Sequence, residues 1–82
     1  MELKIVTPEG VFFEGEVDEV YGPGVIGEFG VLKNHTSFFT PLNPGKLKVR
    51  SGGGEKVYRI SEGLFEVFSN KITILAGKVE EL

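Results

Sequence analysis

Few residues in this chain could do chemistry, and their spacing decides little in its favour. His35 is the single histidine, Ser37 follows it by two positions, and Asp18 is the single aspartate. A hydrolase would need a nucleophile, a base and an orienting group within hydrogen-bond reach. Nothing in the spacing of Asp18, His35 and Ser37 suggests that set, and His35 reads more simply as an interface histidine. Glu14, Glu16, Asp18 and Glu19 are close in sequence, and paired carboxylates can perform acid–base work. Strand alternation puts Glu14, Glu16 and Asp18 on one face and leaves Phe13, Val17 and Val20 free to face inward. A solvated face therefore accounts for the acidic run. Ser51-Gly52-Gly53-Gly54 lacks the following helix that anion-binding loops use, and Glu55 repels phosphate, so it reads as a flexible hairpin tip. Gly22-Pro23-Gly24 reads as a turn. Gly45-Lys46 follows a proline and precedes a strand, so it is no Walker sequence. The absence of cysteine and the lone histidine exclude thiolate and multi-histidine metal sites, and no cofactor is expected.

The elements that must position these residues are short and numerous. The chain has 82 residues and reads as a single domain over 1–82. Its net charge is −3 and its sequence pI about 5.1, which argues against nucleic acid and against attachment to anionic lipid. No apolar run approaches the roughly 20 residues of a membrane-spanning helix. Met1-Glu2-Leu3-Lys4 has no basic region followed by a long apolar core, so no signal peptide is expected. An intracellular location is expected, with any membrane location indirect, through another protein.

Glycine makes up 12 of the 82 residues and falls between apolar runs, as turns do. Leu3 to Thr7 reads as a strand closed by Pro8-Glu9-Gly10. Val11 to Glu14 follows, then Val17 to Tyr21 after Gly15. Val25 to Leu32 is an interrupted apolar run, and Phe38-Phe39-Thr40 is a short one ending at Pro41. Lys46 to Arg50 alternates charged and apolar residues, the period of a half-buried strand. Glu55 to Ile60 returns as its hairpin partner, with Val57 on one face and Tyr58 and Ile60 on the other. Leu64 to Phe68 and Lys71 to Leu75 form a second hairpin through Ser69-Asn70. There Phe65 and Val67 share one face, and Ile72 and Ile74 share another. Lys78 to Leu82 could start a helical turn but is too short to hold one alone. The pattern predicts an all-β sandwich or barrel.

The segment from Gly27 to Gly45 holds glycines, Glu28, His35 and three phenylalanines with little regular pattern. Long irregular connections in small domains are often functional. Alternation lets only one of Phe38 and Phe39 point inward. The other becomes a candidate exposed anchor for a partner.

Several segments taken in order carry a resemblance. They are Ile5-Val6-Thr7-Pro8-Glu9, Phe13-Glu14-Gly15-Glu16-Val17, Gly27-Glu28-Phe29-Gly30-Val31-Leu32, Asn34-His35, Phe39-Thr40, Leu42, Pro44-Gly45, Ser61 to Val67 and Ile72 to Ala76. In these the chain resembles the N-terminal β-sandwich domain of the epsilon subunit of F-type ATP synthases. The resemblance implies a flattened sandwich of about ten short strands. It also implies a non-catalytic central-stalk subunit of the rotor, which binds the gamma subunit and the proton-translocating ring and couples proton transport to ATP synthesis. Its partner-binding residues would be Thr7, Glu28, Phe29, His35, Phe38, Phe39 and Thr40. Phe29, His35, Phe38 and Thr40 would face gamma, and Glu28 would meet the ring. The implied location is peripheral, on the cytoplasmic face of the bacterial inner membrane or its equivalent.

The sequence departs from the family pattern at Ile26, where an acidic residue is usual, and at Thr36-Ser37-Phe38-Phe39. It stops before the family's C-terminal helical hairpin, so the inhibitory and ATP-binding roles of that hairpin are not carried over, and no ATP binding is expected. A naturally short subunit is expected, with truncation as the alternative. Two other readings compete. One is a free-standing β-sandwich binding a carbohydrate or small ligand. The other is a small hydrolase using His35.

Overall fold

The computed structural model describes residues 1–25, 27–34 and 37–82. The described residues form ten strands: β1 Glu2–Thr7, β2 Gly10–Glu16, β3 Glu19–Pro23, β4 Glu28–Leu32, β5 Phe38–Leu42, β6 Gly45–Ser51, β7 Gly54–Ile60, β8 Gly63–Phe68, β9 Lys71–Ala76 and β10 Val79–Glu81. They pair into two five-stranded sheets, ordered β2-β1-β9-β8-β5 and β10-β7-β6-β3-β4. The sheets face each other across one apolar core, as expected of a sandwich. Leu3, Ile5, Phe65, Ile72 and Ile74 fill it from the first sheet, and Val20, Val31, Leu47, Tyr58 and Ile60 from the second. The β1–β9 pairing is parallel, and the other strand pairs are antiparallel.

The two predicted hairpins are present. In β6–β7, Ser51 pairs with Gly54, leaving Gly52 and Gly53 as the turn, with φ of 58° and 81°. A two-residue turn with both φ positive matches the twist of the strands it joins. The tip is tied down rather than free: Gly52 N–H donates to Asp18 Oδ2 (3.1 Å) and Ser51 Oγ donates to the Glu16 carbonyl (3.1 Å). Ser69 and Asn70 turn β8 into β9 in the same way, at φ 52° and 62°. Phe65 pairs with Ile74 and Val67 with Ile72. Directly opposed residues project to the same side, so all four face the core, not two separate faces.

Other expectations are corrected. β2 runs through Gly15 to Glu16, and β3 runs through Gly22 to Pro23, where a break and a turn were expected. β5 continues through Pro41 to Leu42. It lies at the rim of its sheet, where a residue without an N–H leaves no ladder bond unmade. The segment expected to be irregular, Gly27 to Gly45, contains β4 and β5. The C-terminal residues form β10 beside β7, and Leu82 N–H donates to the Val57 carbonyl (2.9 Å). A short strand gains ladder bonds from a neighbour that an isolated helical turn lacks.

The β2 edge carries a bulge. Ile5 pairs with Phe13 and Val6 with Val11, leaving Phe12 as the extra residue. Its ring meets Tyr58 of the other sheet edge-on at 5.7 Å and closes that side of the sandwich. The bulge and the carboxylates Glu14 and Glu16 blunt an edge that would otherwise invite pairing.

Candidate protein-docking surface

The other open side of the sandwich lies between the two rim strands β4 and β5. There a groove of about 340 Å³ is lined by Gly24, Val25, Gly27, Glu28, Phe29, Phe38 and Thr40. Its floor is aromatic. Phe29 stands edge-on to Phe65 (4.8 Å between ring centroids) and to Phe38 (5.7 Å), and Phe38 stacks on Phe65 (5.7 Å). Such arrangements match the positive ring edge of one aromatic to the negative face of another.

Two glycines, Gly22 in β3 and Gly24 just after it, make room for that cluster. A Cβ on Gly22 would come within 3.0 Å of the Phe29 ring. A Cβ on Gly24 would come within 2.8 Å of the ring and of the Gly27 carbonyl. The two glycines therefore let Phe29 lie against the β3 backbone. Gly24 and Gly27 exchange N–H···O bonds of 3.0 and 3.2 Å, and Asn43 N–H donates to the Pro23 carbonyl (2.8 Å), tying this corner to the end of β5. These glycines were expected to be turn residues, and their role in accepting the ring went unread. The signal is a Gly-x-Gly placed opposite an aromatic in the partner strand, which becomes visible once the register is known.

The sequence-predicted residues fall in separate places. Glu28, Phe29, Phe38 and Thr40 come together in the groove. Glu28 is at its mouth, 3.9 Å from Lys48 Nζ. Thr40 Oγ1 donates to the Pro41 carbonyl (3.2 Å). Phe39 points the other way, out of the β2-β1-β9-β8-β5 sheet, and is 62% exposed. It pairs with Glu66 and lies near Phe68, which is 67% exposed and was not singled out from sequence. The split between an inward Phe38 and an outward Phe39 is the one that alternation requires. Thr7 is elsewhere: it accepts from Glu9 N–H (3.2 Å) and donates to the Gly10 carbonyl (3.3 Å), holding the β1–β2 turn. The His35 expectation lies outside the described residues, as do Ile26 and Thr36. Asn34 N–H donates to Asn70 Oδ1 (3.1 Å), which joins Asn34 to the β8–β9 turn.

The acidic run does not form a carboxylate pair. Glu16 meets the Met1 ammonium (3.3 Å), Asp18 caps Gly52, and Glu19 accepts from the Tyr21 hydroxyl. That bond holds the proton on Tyr21 and pushes its pKa up. Arg50 is likewise pushed up, first by its bond to Glu55 (3.0 Å). No group of three or more potential metal-ligating side chains occurs among the described residues. No helix among them is long and apolar enough to cross a membrane.

What the surface offers is shape: an aromatic-floored groove, outward phenylalanines and single carboxylates at the rims. The fold and site define an all-β sandwich with an aromatic-floored groove at one open side and exposed phenylalanines on one face. The chain belongs to the family described as ATP synthase, Delta/Epsilon chain, beta-sandwich domain, whose model matches residues 1–82. It is 45% identical over 81 residues to the ATP synthase epsilon chain of Caulobacter vibrioides, spanning 99% of this chain and 94% of that one. It is 44% identical over 80 residues to the epsilon chain of Anaeromyxobacter sp., but spans 61% of that relative's length. Among solved structures it is similar to a chain of the Euglena gracilis mitochondrial ATP synthase, in a structure that includes the c-ring. The TM-score is 0.91 at 27% identity, covering 96% of this chain and 51% of that one. A chain of the Tetrahymena thermophila mitochondrial ATP synthase shares the fold, with a TM-score of 0.85 at 16% identity, covering 98% of this chain and 65% of that one.

Proposed function

We propose that this chain acts as one unit over 1–82, as a non-catalytic central-stalk subunit of an F-type ATP synthase. It binds the gamma subunit and the proton-translocating ring and carries rotation between them. It sits peripherally, on the cytoplasmic face of the bacterial inner membrane. The observation that carries the reading is the outward Phe39, 62% exposed in a shallow recess with Phe68, on a chain of this family. Exposed aromatics beside a recess are the residues that dominate interface energies. Glu28, at the mouth of the groove, meets basic loops of the ring. A rim pair of this kind contributes about 0–1 kcal/mol, so buried apolar area and fit carry most of the affinity.

The test is binding of purified gamma to the chain and to its Phe39→Ala variant. The variant keeps its fold and binds gamma more weakly by over about 1 kcal/mol. Equal affinity of a folded Phe39→Ala would remove Phe39 from the interface.

A further inference from the structure

A second gap between the sheets lies on the β2 side, away from the aromatic groove. Phe12 meets Tyr58 there, but toward the β6–β7 tip a space of about 320 Å³ stays open. Its walls are Phe13, Val17, Val49 and Tyr58, and Ser51, Gly54 and Lys56 stand at its mouth. Two glycines leave the space unfilled. Gly15 pairs with buried Leu3, and directly opposed residues project to one side, so its missing side chain is turned inward. Gly54 shares a side of β7 with buried Tyr58 and does the same. A Cβ on Gly54 would meet only the Ser51 carbonyl, at 3.6 Å, and one on Gly15 only the Phe13 ring, at 3.4 Å. Neither glycine has a positive φ, so the backbone does not demand glycine at either place. Packed interiors leave few spaces larger than a water molecule, which makes this one a candidate for a ligand.

Tyr58 gives the space a polar point. It is 3% exposed, and its hydroxyl has no hydrogen-bond partner among the described residues. No polar side-chain atom among them is sealed in without a partner, so the hydroxyl reaches the space that Tyr58 lines. Burial pushes the Tyr58 pKa up, and the group stays a protonated donor at neutral pH. A largely desolvated hydroxyl without a partner costs free energy that a ligand's acceptor recovers. The charges at the mouth are already matched: Lys56 Nζ meets Glu81 at 3.5 Å, and Arg50 meets Glu55 at 3.0 Å. The site therefore calls for a neutral molecule. An apolar cavity of about 150 Å³ accepts one benzene ring, so a space twice that size suits two fused rings.

We propose that this gap binds a neutral bicyclic aromatic molecule carrying one hydrogen-bond acceptor. Its rings lie against Phe13, Val17 and Val49, and its acceptor takes the Tyr58 hydroxyl proton. Apolar walls with one fixed polar group are the usual make-up of a small-molecule site. The site lies between the sheets, goes beyond the stalk reading and is independent of it.

The test is an NMR titration of the full chain with quinoline, whose ring nitrogen accepts, and with naphthalene, which has the same shape and no acceptor. Quinoline shifts the Val17, Val49 and Tyr58 signals saturably, with a Kd about threefold to tenfold below that of naphthalene. Tyr58→Phe keeps the ring beside Phe12, removes that preference and leaves naphthalene affinity unchanged. Gly54→Val puts a strand-favouring side chain into the space and raises both Kd values about tenfold or more. Should it lose its β-sheet circular dichroism, Gly54→Ala replaces it and acts in the same direction. The absence of saturable shifts up to the solubility limit leaves the gap to water and overturns the proposal. Shifts confined to Phe29, Phe38 and Thr40 put the molecule in the other groove and do the same. A quinoline preference that survives Tyr58→Phe, or a folded Gly54 variant that binds equally well, also overturns it. Val17 and Val49 shifts that grow with chain concentration alone, and vanish in Gly54→Val, assign the gap to a side chain of a second copy and overturn it as well.

Discussion

The two sheets contribute similar aliphatic side chains to a shared core and differ on the faces they turn outward. On the β10-β7-β6-β3-β4 sheet, register puts Glu19 beside Arg50 and Arg50 beside Glu55. Arg50 bonds Glu55 at 3.0 Å and lies 5.9 Å from the Tyr21 ring centroid. Lys48 reaches Glu28 at 3.9 Å, and Arg59 reaches Glu80 at 3.4 Å. Several charges on that face thus meet an opposite charge within the chain and remain hydrated. On the β2-β1-β9-β8-β5 sheet, the row from Pro41 to Val11 is apolar, Phe39 and Phe68 project, and Glu66 and Glu14 join no ion pair among the described residues. Strand alternation makes this division of labour available to a small sandwich. Each strand assigns one set of positions to the core and the other to an independent face. A face that satisfies its own charges gains little from a partner, whereas an apolar face with unmatched charges gains from both.

Substitutions that break this contrast differ in size. Phe65→Ala removes the ring against which Phe29 and Phe38 pack, at a fully buried position. It costs about 3–5 kcal/mol of folding stability and disturbs both faces together, which urea denaturation measures. The Leu64→Ser and Leu75→Ser pair acts on binding and lowers urea stability by less than Phe65→Ala, because Leu64 and Leu75 are 37% and 45% exposed where Phe65 is fully buried. Phe39→Ala acts in the same sense, by over about 1 kcal/mol of binding. Arg50→Gln, on the charged face, changes stability little and leaves gamma affinity unchanged, since an exposed ion pair contributes little. An Arg50→Gln that weakened gamma binding as much as Phe39→Ala would erase the distinction between the faces.

How much of this was legible in the sequence depended on whether the cause was local. The β6–β7 and β8–β9 hairpins could be read because alternation and turn residues occur within a few positions of one another. The divergence of Phe38 and Phe39 followed from the same local rule. Gly22-Pro23 and Pro41 were misread as breaks, because their tolerance comes from distant facts. Gly22 makes room for Phe29 on the neighbouring strand, and Pro41 lies at a sheet rim. β10 was misread because its hydrogen-bonding partner is β7, some twenty residues earlier in the chain. The apolar row was invisible for the strongest form of that reason. Val6, Val11, Pro41, Leu64 and Leu75 come from five strands, and only the pairing register brings them into line.

Side-chain oxidation footprinting of the chain, free and bound to purified gamma, tests the contrast most directly. Phe39, Leu64 and Leu75 are predicted to lose reactivity on binding, while Tyr21 on the charged face keeps its own. Protection of Tyr21 with Leu64 and Leu75 still fully reactive would place the partner on the wrong sheet and contradict the account.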